Sequence, residues 1–280
     1  MIELKNLDLS KLKEQFEENN VIKYIILDHF VTGNDASLIA AEHEAVPPEY
    51  WLDYSHTNQI KTGLTDKSLM GKNTRLLIEE LSSSVFLEWL SGLTGFKDLI
   101  VDPKLDRAGL HKIKTNGYLN VHTDEQSHTK HKYWKRRLNL LLYLSPDYEK
   151  NWGGNLELWD YTNRKLIESI SPEFNRCVIF ATDDKSYHGH PSPLNCPENS
   201  ARKSLALYYY QKINKALPVT PTNYMSLPND DIKKRFSIRL NVFFLYCFAL
   251  LKRYTKLDDE YIKRISSYFT RRLEKKRLKK

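Results

Sequence analysis

Alternating apolar and polar positions dominate the middle of this chain, and they predict strands. Tyr118-Leu119-Asn120-Val121 alternates just ahead of His122, the period of two expected when one face of a strand is buried. Leu138 to Leu144 is a short, almost continuous apolar run, as expected of a strand covered on both faces. Asn151-Trp152-Gly153-Gly154 reads as a glycine turn into a strand over Leu156 to Trp159, with Leu156 and Leu158 on one face. Arg176 to Phe180 and Ser204 to Tyr210 predict two more buried strands. Near the start, Tyr24 to Phe30 predicts a short strand followed by a helix over Asp35 to His43. The proline-rich stretch from His190 to Ser200 must be a loop. The pattern predicts a mainly β domain with flanking helices.

The pattern changes after a Pro/Thr-rich boundary at Leu217-Pro218-Val219-Thr220-Pro221. Asp230-Asp231 can start a helix and Lys252-Arg253 can sit near its end. Between them Val242 to Leu251 is apolar all round, yet too short to span a bilayer, which needs about 20 residues. Two readings stay open for this helix. It packs on the β domain, or it lies at a membrane interface with Lys233-Lys234-Arg235 and Lys252-Arg253 drawn to anionic lipid. A second, amphipathic helix is expected over Asp258 to Leu278, with Tyr261, Ile265, Tyr268, Phe269 and Leu273 along one side. The expected organisation is therefore a domain over 1–217, its β core at about 105–212, and a basic helical extension over 218–280.

Composition sharpens that division. The 280 residues suffice for one substantial core, and 41% hydrophobic with 28% charged residues suits a soluble globular protein. The net charge of +8 is unevenly placed: residues 230–280 carry 16 Lys and Arg against 6 Asp and Glu, so the β domain is close to neutral. Three scattered cysteines form no disulfide framework and suit a reducing compartment. The first residues lack the basic-then-apolar order of a signal peptide. The expected location is the cytoplasm, peripheral at the membrane under the interfacial reading of the tail. The basic tail carries no recognisable nucleic-acid motif.

Candidate chemistry centres on His122 and Asp124. Two residues apart on an extended segment, their side chains point the same way. His188 arrives from a distant strand and completes two nitrogens and one oxygen. That is the 2-His-1-carboxylate facial triad, which leaves positions open on Fe(II). Arg202, a strand's length further on, can anchor the far carboxylate of a 2-oxo acid. His190 is the rival to His188, and Lys203 the rival to Arg202. A structural zinc site would want closely spaced cysteines, and Cys177, Cys196 and Cys247 are far apart. Several strands between the two ligand-bearing segments fit a double-stranded β-helix, a cupin-like jelly roll with the metal in its mouth.

From about Val21 to Tyr210 the chain resembles the prolyl-4-hydroxylase-like branch of the Fe(II)/2-oxoglutarate oxygenases. The matching pieces stand in the family's order: Tyr118 to Asp124, Arg136 to Leu144, Gly153-Gly154, His188, and Arg202-Lys203-Ser204-Leu205. The gap from His188 to Arg202 is longer than in the tightest members. The resemblance implies that His122, Asp124 and His188 hold the iron, and that Arg202 and Tyr143 bind the C5 carboxylate of 2-oxoglutarate. Tyr118 either lines that pocket or packs beside it. Gly153 and Gly154 would shape the turn into the next strand. Fe(II), 2-oxoglutarate and O2 are the implied cofactor and cosubstrates, with ascorbate as an accessory reductant. Asp124 favours hydroxylation over halogenation, because halogenating members replace that carboxylate with a small residue. The implied acceptor is a protein side chain, proline above all. A lipid-linked sugar or surface glycan precursor at a membrane is the alternative, and a non-catalytic binding module the reading from another class. His111, His128 and His131 are expected in or near a solvated lysine-rich loop at the mouth.

Overall fold

Thirteen antiparallel strands form one curled sheet in the computed structural model, which describes residues 1–218, 220–228 and 230–255. The helix expected over Asp258 to Leu278 lies outside the described residues. The strands are β1 (Tyr24–Leu27), β2 (Leu52–His56), β3 (Gln59–Leu64), β4 (Leu99–Val101), β5 (Gly109–Ile113), β6 (Tyr118–Thr123) and β7 (Trp134–Tyr143). They continue with β8 (Leu156–Asp160), β9 (Lys165–Ile170), β10 (Cys177–Ala181), β11 (Tyr187–His190), β12 (Arg202–Lys212) and β13 (Asn223–Tyr224). Neighbours run in the order β1-β10-β7-β12-β5-β3-β6-β11-β8-β9. The sheet curls as a jelly roll does, so its ends face each other across an interior.

Side-chain alternation along β7 explains both faces of that sheet. Leu138, Leu140 and Leu142 point outward into the main core, with Leu205 and Leu207 of β12 and Cys177 and Ile179 of β10. Leu141 and Tyr143 point inward, where Tyr143 meets Val178, Phe180, Leu156 and Leu158. The near-continuous apolar run is thus covered on both sides, as its sequence requires. Helices cover the outer face: α1 (Leu9–Glu18), α2 (Asp35–Glu44), α3 (Lys72–Leu81) and α4 (Ser84–Thr94). Leu77 and Leu81 of α3 and Leu90 of α4 join the same core and are fully buried, each contributing on the order of 1.5–3 kcal/mol. Ser83 caps α4 by accepting from the Phe86 amide at 3.3 Å, and Gly95 ends it at φ 77.

The segment after Leu217 does more than link. Asn223 and Tyr224 pair with Thr123 and His122 as β13, and the Ser127 hydroxyl donates to the Pro218 carbonyl at 3.2 Å. The long helix α5 (Ile232–Tyr254) follows, capped by Asp231. Among the described residues no helix is long and apolar enough to cross a membrane.

Candidate active site

Strand pairing, not sequence proximity, assembles the site. β11 lies antiparallel to β6 with His188 directly opposite His122, and the two rings stand 4.6 Å apart. Asp124 sits just beyond the end of β6. The three side chains present one ligand atom each, all within 4.8 Å of one another. Among the described residues this is the only such group of three or more His, Cys, Asp or Glu. His122 Nδ1 is 2.8 Å from the Asn120 carbonyl and His188 Nδ1 is 2.9 Å from the Ser186 carbonyl. A carbonyl only accepts, so both Nδ1 atoms carry the proton and both Nε2 lone pairs face Asp124. Burial lowers the His188 pKa to about 4, which keeps that imidazole neutral and ready to ligate. Two imidazoles and one carboxylate that gather their ligand atoms this closely are a donor set that fits Fe(II).

Asp124 is held by two neighbours on β7. Asn139 donates to Asp124 Oδ2 at 2.7 Å, and Arg136 donates from Nε to Asn139 Oδ1 at 2.7 Å. The Arg136 terminal nitrogen also lies 3.0 Å from Asp124 Oδ2, an ion pair whose angle falls short of a directed hydrogen bond. Arg136 itself lies 3.3 Å above the Tyr208 ring. Burial by itself would raise the Asp124 pKa, but the Arg136 guanidinium foremost outweighs it and holds the carboxyl well below its usual range. These contacts gather on Oδ2 and leave Oδ1 toward His122 Nε2, 3.7 Å away.

Arg202 and Tyr143 form the deeper end. Arg202 donates to the Gly154 carbonyl at 2.8 Å and to the Tyr143 hydroxyl at 3.3 Å, with both residues buried. Gly154 has φ 76, and a Cβ there would meet Leu194 at 2.6 Å and Arg202 at 3.0 Å. That turn therefore needs glycine on two counts. His190 projects between the two ends. It is 3% exposed, and neither ring nitrogen has a hydrogen-bond partner. Burial first, then the charges of Arg202 and Lys61, push its pKa well below the ordinary value. A buried imidazole without partners beside a guanidinium and an ammonium is a cradle for a small anion. Lys61 of β3 keeps part of its stem in solvent, yet its ammonium sits deep enough that burial lowers its pKa to about 8, with Asp124 pulling the other way.

The structure thus brings His122, Asp124 and His188 into one cluster and pairs Arg202 with Tyr143. It sets His190 beside Arg202 and outside the ligand cluster. A register shift between His188 and His190 places His190 opposite Leu119. Tyr118 is elsewhere: its hydroxyl donates to the Thr57 carbonyl at 3.0 Å, at an exposed position. His111 and His128 are not in a solvated loop. His111 is buried on β5, and buried His128 lies 3.2 Å from Asp102, because the chain around it folds back under Tyr210 and Trp134. Sequence reasoning missed Asn139, Arg136, Lys61 and Tyr224, whose ring lies 5.3 Å from that of His122. A signal existed for Asn139: an amide inside a leucine run, four residues before Tyr143 and so on the same strand face.

Comparison with known proteins agrees with this geometry. Residues 108–210 match the family model of the 2OG-Fe(II) oxygenase superfamily. Prolyl 3-hydroxylase OGFOD1 of Mus musculus is 26% identical over 137 residues, 48% of this chain and 23% of that protein. Its counterpart from Xenopus laevis is 24% identical over 155 residues, 52% of this chain and 28% of that one. The chain therefore spans about a quarter of the length of these curated relatives. A prolyl hydroxylase from Trichoplax adhaerens, solved with a hypoxia inducible factor peptide fragment, superposes with a TM-score of 0.51 at 17% identity. It covers 72% of this chain and 90% of that structure. A Pseudomonas putida prolyl-4-hydroxylase gives a TM-score of 0.50 at 14% identity over 72% of this chain and 99% of its own. These structures share the jelly-roll fold.

Proposed function

We propose that this chain, a prolyl-hydroxylase-like member of the 2OG-Fe(II) oxygenase superfamily, is an Fe(II)- and 2-oxoglutarate-dependent dioxygenase that hydroxylates a prolyl residue of a protein. The observation that carries this reading is the cluster of Asp124 with the buried His122 and His188, and the buried Arg202 and Tyr143 pair in the same interior. The printed activity of the curated relatives supports proline as the acceptor, as does the peptide bound to the Trichoplax adhaerens enzyme.

Fe(II) and 2-oxoglutarate, when bound, supply the chemistry that converts a C–H bond to C–OH with O2, releasing succinate and CO2. Everything else is the work of the chain. His122, Asp124 and His188 would hold the metal, with ring orientation set by the Asn120 and Ser186 carbonyls. Arg136 and Asn139 keep Asp124 ionised and in place. The Arg202 fork would take the far carboxylate of 2-oxoglutarate, with Tyr143 donating beside it. Tyr224 of β13 stands over His122 and excludes water from that side. Cys177, Cys196 and Cys247 are free thiols, which supports a reducing compartment, the cytoplasm, as the place of action.

The test is an anaerobic titration with Fe(II) and 2-oxoglutarate, followed by succinate release on admitting O2. Slow release without acceptor, faster release with a proline-containing peptide, and loss of both in Asp124→Ala are the expected results. A chain that binds neither metal nor 2-oxoglutarate would refute the proposal.

A further inference from the structure

α5 leaves the β domain with one side fastened and the other bare. On the fastened side, Ile238 is 2% exposed, and the Asn241 side chain accepts from Asn58 at 2.8 Å. Asn58 is fully buried and accepts from Asn120 at 3.0 Å, so the helix is tied to the strand that carries His122. Its rotation about its own axis is therefore set. Phe236, Leu240, Phe243, Phe244, Leu251 and Tyr254 recur at helical spacing on the opposite side. All six are exposed, Phe236 at 68% and Tyr254 at 78%. Scattered surface apolar residues are ordinary, but a contiguous run of large ones on one helix face marks an interaction surface.

Charge says what kind. From Ile232 to Tyr254 the helix contains no Asp or Glu, while Lys233, Lys234, Arg235, Arg239, Lys252 and Arg253 flank the apolar stretch at both ends. Lys234 is paired with Asp230 at 2.6 Å, and the sum remains strongly positive. Two copies facing each other through α5 would bring like charges together. Residues 256–280 carry ten Lys and Arg against four Asp and Glu, so they too offer no complementary charge. A partner that is apolar in depth and anionic at its surface matches both features. We propose that α5 is an interfacial anchor, laying its Phe236–Tyr254 face into an anionic lipid surface while Ile238 and Asn241 hold the β domain to it. The inference stands independently of the oxygenase reading.

The experiment is sedimentation of the full chain with phosphatidylcholine vesicles and with mixed phosphatidylcholine–phosphatidylserine vesicles. The wild type is expected to partition onto the mixed vesicles and to leave them at high salt. Replacing exposed Phe236, Phe243 and Phe244 together by serine should weaken partition at least about tenfold. Lys233→Gln and Arg239→Gln should each weaken it about fivefold. A cooperative thermal unfolding transition of the serine variant, at a Tm unchanged from wild type, shows that it is folded. No partition onto anionic vesicles would overturn the proposal. So would undiminished binding by the serine variant, which would assign any lipid contact to residues 256–280. Equal binding to neutral and anionic vesicles would refute the electrostatic part. Self-association without lipid, abolished by the serine changes, would give the face to a second copy instead.

Discussion

Replacing Asn139 by leucine tests how the carboxylate ligand is held. The side chain is 2% exposed and makes two hydrogen bonds to charged groups, one to Asp124 Oδ2 and one from Arg136 Nε, both at 2.7 Å. Leucine has nearly the same volume, so no cavity opens and the β7 core stays filled. What is lost is charge-assisted bonding, at roughly 1.5–3 kcal/mol per bond. The Asp124 bond bears on the metal, because it fixes the carboxylate between the two imidazoles. The Arg136 bond bears mainly on stability, because a buried guanidinium N–H is left without an acceptor. Fe(II) affinity should therefore fall about 10- to 100-fold, the range found when partners of metal ligands are removed. The assay is anaerobic Fe(II) titration against a competing chelator, with thermal unfolding of the metal-free protein alongside. A folded Asn139→Leu protein whose Fe(II) affinity moves less than about threefold, well under the smallest of those bond energies, would refute this account of Asp124.

Three other outcomes follow from the same geometry. His190→Phe should leave Fe(II) binding near wild type but weaken 2-oxoglutarate binding about tenfold, one charge-assisted contact's worth, whereas His188→Ala should abolish Fe(II) binding; calorimetry without O2 separates the two. Gly154→Ala forces a side chain into φ 76 and against Arg202 and Leu194, and should cost about 1–3 kcal/mol, read as a lower Tm and weaker 2-oxoglutarate binding. His43 is fully buried, and burial lowers its pKa from 6.5 to about 4. Between those values the unfolded chain binds a proton that the folded one does not, so stability must fall as pH drops through that window, by up to about 3 kcal/mol from this residue. His43→Phe should flatten that part of a urea-unfolding profile measured against pH, and an unchanged profile would refute the assignment.

The strands of the jelly roll were legible because burial imposes a period on the chain. Leu138 to Leu144 had to be covered on both faces, and His122 and Asp124 had to point together, whatever lay around them. The proline-rich loop before Arg202, the Gly153-Gly154 turn and the start of α5 at Asp231 were legible for equally local reasons. Local pattern could not choose between His188 and His190, because both alternate onto the same face. Only the pairing of β11 with β6, and the shift of register between the two histidines, put one opposite His122 and the other opposite Leu119, within the field of Arg202. The same holds for Asn139 and Arg136, whose bonds to Asp124 exist because β7 and the end of β6 meet in the interior. It holds for Tyr224, which a Pro/Thr-rich boundary disguised as linker. It holds for His128, which a run of lysines disguised as surface. Sequence alone determined which residues could do the chemistry and which segments must be strands. Tertiary structure decided which of those residues meet, because contact across a sheet depends on register, and register is set by the whole fold's burial rather than by any one segment.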